Sequence, residues 1–184
     1  MSTVCCFLAE GFEEVEALSV VDILRRGGIE TKLVSVSDKL EVISSHKVCI
    51  KADALIKDID FNKVDAIFLP GGVPGTPNLK ACKILCEKIL EFNKNKKLLA
   101  AVCAAPSIYG ELGILKDKKA TCYPGWEDKL LGAKYVSDRV VTDDNITTSR
   151  GLGTSLELGL KLLEILKDKE TADDMARKVQ LICE

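Results

Sequence analysis

A chain of 184 residues, 47% hydrophobic and 29% charged, has the size of one globular domain with a single substantial core. Its net charge is -2 with both signs mixed along the chain, which provides no basic surface for nucleic acid or an anionic membrane, so neither partner is expected. The first apolar run, residues 4–8, is too short for a membrane span or signal peptide; eight cysteines without an export signal then imply reduced thiols and a cytoplasmic location.

Residues 4–8 read as a buried strand, 14–26 as a helix stopping at Gly27-Gly28, and 31–36 as a second strand, together a β-α-β unit. Residues 41–51 alternate as a hairpin or edge ribbon. A strand at 64–69 stops at Pro70-Gly71-Gly72, a helix spans 77–92, and 98–102 is the strand that feeds Cys103. Short strands follow at 120–122, 139–141 and 146–148, the last two joined by Asp143-Asp144-Asn145. Helices at 154–166 and 171–182 close the chain, the second with Ala172, Met175, Ala176 and Val179 on one face. This alternation predicts an α/β fold over residues 1–184, a mainly parallel sheet with helices on both faces.

Open parallel sheets bind ligands beyond the carboxyl ends of their strands. Three unusual segments fall there: Glu10-Gly11-Phe12-Glu13-Glu14-Val15-Glu16, Pro70-Gly71-Gly72-Val73-Pro74-Gly75, and the junction Ala101-Val102-Cys103-Ala104-Ala105-Pro106. The last reads as a nucleophile elbow, because Ala101 and Ala105 are small enough for a sharp strand-to-helix turn and Pro106 suits the first helical turn. A helix start would favour a Cys103 thiolate. A free N–H at the Gly71-Gly72 turn and the N–H of Ala104 outline an oxyanion hole. The acids can all serve as first-turn residues of the helix, and Glu13 and Glu14 are expected to do only that. A carboxyl pointing back to the thiol would instead hold a proton, and spacing does not choose Glu16 over its neighbours.

The chain has one histidine, His46, placed on the edge ribbon and read as a surface residue. Without an imidazole beside Cys103, peptidase and amidotransferase chemistry lose support. Cys5, Cys6, Cys82 and Cys86 read as packing residues, and no metal site is expected.

Together with Thr148-Ser149-Arg150-Gly151-Leu152-Gly153-Thr154-Ser155, these motifs resemble the ThiJ/PfpI superfamily nearly end to end, specifically its parkinsonism-associated deglycase-like branch. The resemblance implies a flavodoxin-like three-layer sandwich, commonly a homodimer. It implies Cys103 as the reactive thiol, Glu16 as its protonated partner, and Gly72 and Ala104 as backbone donors. Gly71, Tyr123 and Arg150 are expected at the substrate pocket, with Phe12, Pro74 and Trp126 shaping the crevice. Some relatives carry histidine at the position of Tyr123. The implied activity is removal of α-oxoaldehydes such as methylglyoxal, or of their early glycation adducts, without a cofactor. The alternative is a redox sensor or chaperone-like protein whose cysteine oxidises without turnover.

Overall fold

In the computed structural model, which describes residues 2–182, successive residues of the first strand point to opposite sides of a central sheet and divide the core in two. The strands are β1 (Thr3–Leu8), β2 (Glu30–Ser35), β3 (Glu41–Ile43), β4 (Cys49–Lys51), β5 (Ala54–Leu55), β6 (Ala66–Leu69), β7 (Leu98–Val102), β8 (Lys119–Ala120), β9 (Lys134–Tyr135), β10 (Val140–Asp143) and β11 (Ile146–Ser149). The helices are α1 (Glu14–Arg26), α2 (Gly75–Ala81), α3 (Lys83–Lys94), α4 (Pro106–Glu111), α5 (Ser155–Leu166) and α6 (Lys169–Lys178).

Seven strands form the main sheet in the order β10-β11-β7-β6-β1-β2-β5. All its neighbours are parallel except β10 and β11. Val4, Cys6 and Leu8 pack with α1, α5 and α6, whereas Cys5, Phe7 and Ala9 face α2, α3 and α4. Burial on both faces explains why β1, β6 and β7 are continuous apolar runs. The α1–α5 contact is close because Gly27 and Gly159 carry no side chain. A Cβ at Gly27 would lie 2.4 Å from Leu163 Cδ1, and one at Gly159 3.0 Å from Ile23 Cβ.

Three regions differ from the expected elements, and residues 41–51 take the hairpin form of the two expected for them. The helix expected over 77–92 is two helices broken at Cys82, whose backbone is extended. Leu79 and Leu85 are both fully buried, and six residues of uninterrupted helix would turn one of them away from the core. The break rotates α3 so that Leu85, Ile89 and Phe92 face inward, leaving Cys82 and Cys86 only half-buried. The ribbon at 41–51 is a separate antiparallel pair, β3 with β4, and the main sheet ends instead on β5. Residues 120–122 contribute only their first position to a strand, since β8 pairs in parallel with β9. Asp168 accepts the Thr171 N–H at 2.7 Å and starts the last helix two residues early, and that helix ends at Lys178.

Candidate active site

The three motif-bearing loops follow β1, β6 and β7, which are adjacent in the sheet. Backbone bonds lock the first two together, Glu13 N–H donating to Gly71 O at 2.9 Å and Gly75 N–H to Gly11 O at 3.0 Å, while Cys103 N–H donates to Ser149 O of β11 at 3.0 Å. Cys103 itself sits at φ 64, a left-handed conformation costly for a residue with a Cβ. Its half-buried thiol is thereby turned out of the strand toward the β1 and β6 loops.

Glu16 is 1% exposed, and its Oε2 accepts the Gly71 N–H at 2.8 Å. Its carboxyl lies beside the Cys103 side chain, the two crowding Gly71 from either side. Burial pushes the Glu16 pKa up to about 7, aided by the charge of Glu13 and opposed by the Gly71 and Cys103 bonds. The backbone N–H groups of Ala104 and Gly72 beside Cys103 favour its thiolate. Burial, followed by the charge of Glu16 and its hydrogen bond, outweighs them and pushes the Cys103 thiol up to about 12. The thiolate expected from a helix start is therefore not the resting form beside an ionised Glu16. The helix contributes little because α4 is only six residues long and begins at Pro106. When Glu16 holds its proton, its charge no longer opposes the thiolate and its O–H can donate to the sulfur.

Gly71 and Gly72 are both required by space. A Cβ at Gly72 would lie 2.6 Å from Glu13 N and from Gly11 O, and Gly72 has φ 96. Tyr123 is half exposed, and its N–H donates to Cys103 O at 2.9 Å, so it flanks the elbow. Its ring lies over Gly151, where a Cβ would be 3.3 Å from Tyr123 Cδ2 and 3.9 Å from Glu16 Oε1. Gly151 thus belongs to the site, and its place between Arg150 and Leu152 in the last motif was the available signal.

Arg150 lies on the rim beside Tyr123, but its guanidinium turns away. It donates to Ser137 O at 3.1 Å and Tyr135 Oη at 3.4 Å. Phe12 is fully buried in the core and does not line the crevice. Pro74 packs on Gly11, and Trp126 leans on the core cluster beneath α4. His46 is exposed, as its position on the ribbon suggested, and meets Glu13 and Glu14 rather than Cys103.

A family model for the DJ-1/PfpI family matches residues 2–165. The chain belongs to this family. It is 41% identical over 171 residues to Protein DJ-1 homolog B of Arabidopsis thaliana, covering 92% of this chain and 39% of that protein. It thus spans less than half the length of that relative. It is 33% identical over 174 residues to the glutathione-independent glyoxalase DJR-1.2 of Caenorhabditis elegans, covering 94% of this chain and 92% of that one. Among solved structures, oxidized DJ-1 of Toxoplasma gondii superposes with a TM-score of 0.93 at 35% identity, covering 97% of this chain and 98% of that chain. The mainly parallel sheet between helix layers is the flavodoxin-like sandwich of these DJ-1/PfpI structures. Among the described residues no helix is long and apolar enough to cross a membrane.

Proposed function

We propose that this DJ-1/PfpI protein is a cysteine-dependent glyoxalase that converts small α-oxoaldehydes, methylglyoxal first among them, to 2-hydroxy acids without a cofactor, and that also acts on their early glycation adducts. The observation that carries the reading is the buried Glu16 carboxyl crowded against the Cys103 side chain across Gly71, beside the backbone of Gly72 and Ala104. A relative of nearly the same length bears the name of such an activity.

The reaction begins as the Cys103 thiol passes its proton to the Glu16 carboxylate, leaving a thiolate that the Gly72 and Ala104 N–H groups favour. The Cys103 sulfur attacks the aldehyde carbon, a C–S bond forms, and the carbonyl π electrons move to oxygen between the N–H groups of Gly72 and Ala104. Protonation of that oxygen by Glu16 gives a hemithioacetal. The Glu16 carboxylate then removes the hydrogen from the former aldehyde carbon and returns a proton to the neighbouring carbon through an enediol. The product is a 2-hydroxyacyl thioester on Cys103. Water cleaves it to the 2-hydroxy acid and restores the thiol, so aldehyde plus water equals acid. No amine leaves during the isomerisation, which is why Tyr123 in place of an imidazole is compatible with this chemistry. A second copy of the chain is the proposed partner, seated on exposed Val15, Leu18 and Leu156 of the neighbouring helices α1 and α5.

The same donors around Cys103 support a second reading, in which the sulfur oxidises to a sulfinate held by Glu16 and signals without turnover. The deciding experiment incubates metal-free wild type and Cys103→Ser with methylglyoxal in thiol-free buffer and follows lactate over many equivalents. Sustained lactate from the wild type alone supports the enzyme. No lactate from either, with stoichiometric oxidation of Cys103 under mild peroxide, overturns it in favour of the sensor.

A further inference from the structure

Sequence alone makes Glu13 and Glu14 helix-start acids and His46 a surface residue, yet the fold brings the three side chains together. His46 Nδ1 lies 3.1 Å from Glu14 Oε1 and 3.8 Å from Glu13 Oε1. One donor atom from each falls within 4.8 Å of the others. Two elements hold them in place. Glu13 and Glu14 stand at the start of α1, and His46 occupies the turn between β3 and β4, which is tied down by Ser45 N–H donating to Phe12 O at 2.8 Å.

This is more than a pair of acids at a helix end. The Glu13 and Glu14 side chains are 10% and 12% exposed, and among the described residues His46 is the one basic side chain within ion-pair distance of either. Glu13 Oε2 is engaged by the Glu16 N–H at 2.6 Å, while its Oε1 receives no hydrogen bond among the described residues and faces the imidazole. A single proton on Nδ1 bonds to Glu14 and leaves Glu13 Oε1 without a protein donor among the described residues, and even an imidazolium leaves the pair of carboxylates with net negative charge.

The geometry points to a divalent transition-metal site, of the zinc class, formed by Glu13, Glu14 and His46. Separations of 3.1 and 3.8 Å are close to those between neighbouring ligands around an ion with bonds of about 2.0–2.2 Å. One imidazole nitrogen with two carboxylates suits zinc and its neighbours, whereas magnesium and calcium favour oxygen donors throughout. A dication balances two carboxylates when His46 is neutral. The site uses neither the Cys103 thiol nor the Glu16 carboxyl, so it stands or falls separately from the glyoxalase reading.

His46 is the single histidine of the chain, so its imidazole signals need no assignment to a residue, and Nδ1 is told from Nε2 by its couplings to the ring protons. Zinc ion alone is titrated into the metal-free full chain, as wild type and as Cys103→Ser, with nitrogen-15 NMR and calorimetry in parallel. One equivalent shifts the Nδ1 signal in both proteins, and magnesium ion at the same concentration does not. The double variant Glu13→Gln, Glu14→Gln, which keeps an oxygen to accept the Glu16 N–H, weakens the zinc response at least tenfold while circular dichroism shows it folded. Zinc uptake by calorimetry with an unmoved His46 signal would place the metal on thiols and overturn the site. So would an equal response to magnesium, or a folded double variant that binds zinc as tightly as wild type.

Discussion

Glu16 and Cys103 close over Gly71 so tightly that a Cβ there would lie 2.8 Å from Glu16 Oε2 and 2.7 Å from Cys103 Cβ. The carboxyl and the thiol therefore share one desolvated space, and the charge state of each depends on the other.

The pH dependence of stability follows from Glu16. Its folded pKa of about 7 lies above the ordinary 4.5, so the native state holds the proton longer than the unfolded chain does. Stability from this group is lost as pH rises from about 4.5 to 7, by on the order of 3 kcal/mol in full. Glu16→Gln removes that loss, so urea unfolding will show the variant gaining on wild type at pH 8 and not at pH 4. Parallel stability profiles for the two proteins would contradict the buried-carboxyl account. In the same variant lactate formation drops about 100- to 10,000-fold, because the amide carries no proton between carbons.

Glycine substitutions separate space from chemistry. Gly72→Ala forces a Cβ against backbone atoms at a positive φ and costs about 3 kcal/mol of stability. Gly71→Ala pushes on the Cys103 and Glu16 side chains, so activity suffers more than folding. Gly153→Ala, with nothing within 4 Å of the added methyl, serves as the tolerated control. Thermal melts beside lactate assays check all three, and a fully active Gly71→Ala would count against the crowded pair.

Left-handed backbone at Cys103 makes a further comparison informative. Cys103→Gly and Cys103→Ala both abolish turnover, but glycine accepts φ 64 freely, so it will be the more stable of the two by about 1 kcal/mol. Denaturant midpoints measure the difference. Equal midpoints would mean that the elbow stores no strain.

Association can be tested on α1. Leu18 is 37% exposed beside Val15 at 43%. Leu18→Glu is expected to convert a dimer to a monomer in light scattering while leaving circular dichroism unchanged. A wild type that already runs as a monomer would remove the proposed partner.

The span of α1 was readable to the residue, because acids open its first turn and Gly27-Gly28 stops it. The break at Cys82 was not, since Leu79, Cys82, Cys86 and Ile89 form a plausible helical stripe until the positions of Leu85 and Phe92 against the sheet are known. Likewise the motifs marked Cys103, Gly71 and Gly72 through local backbone requirements that sequence records. Which acid reaches the sulfur depends on how α1 is rotated against β6, and the family resemblance pointed to Glu16. The direction of the Arg150 side chain and the meeting of His46 with Glu13 are set by contacts between distant segments, for which no local pattern exists.

The hydrogen bond from Gly71 to Glu16 joins positions 55 residues apart, one on the loop after β6 and the other in the first turn of α1 after β1, and it needs β1 and β6 already paired. Such nonlocal closure comes late in folding. A nascent or partly melted chain would carry Cys103 as an ordinary cysteine, without its carboxyl neighbour. The chemistry of this sulfur is thus a certificate of completed assembly: a reagent sensitive to the Cys103–Glu16 pairing would distinguish finished molecules from those with β1, β6 and β7 still apart.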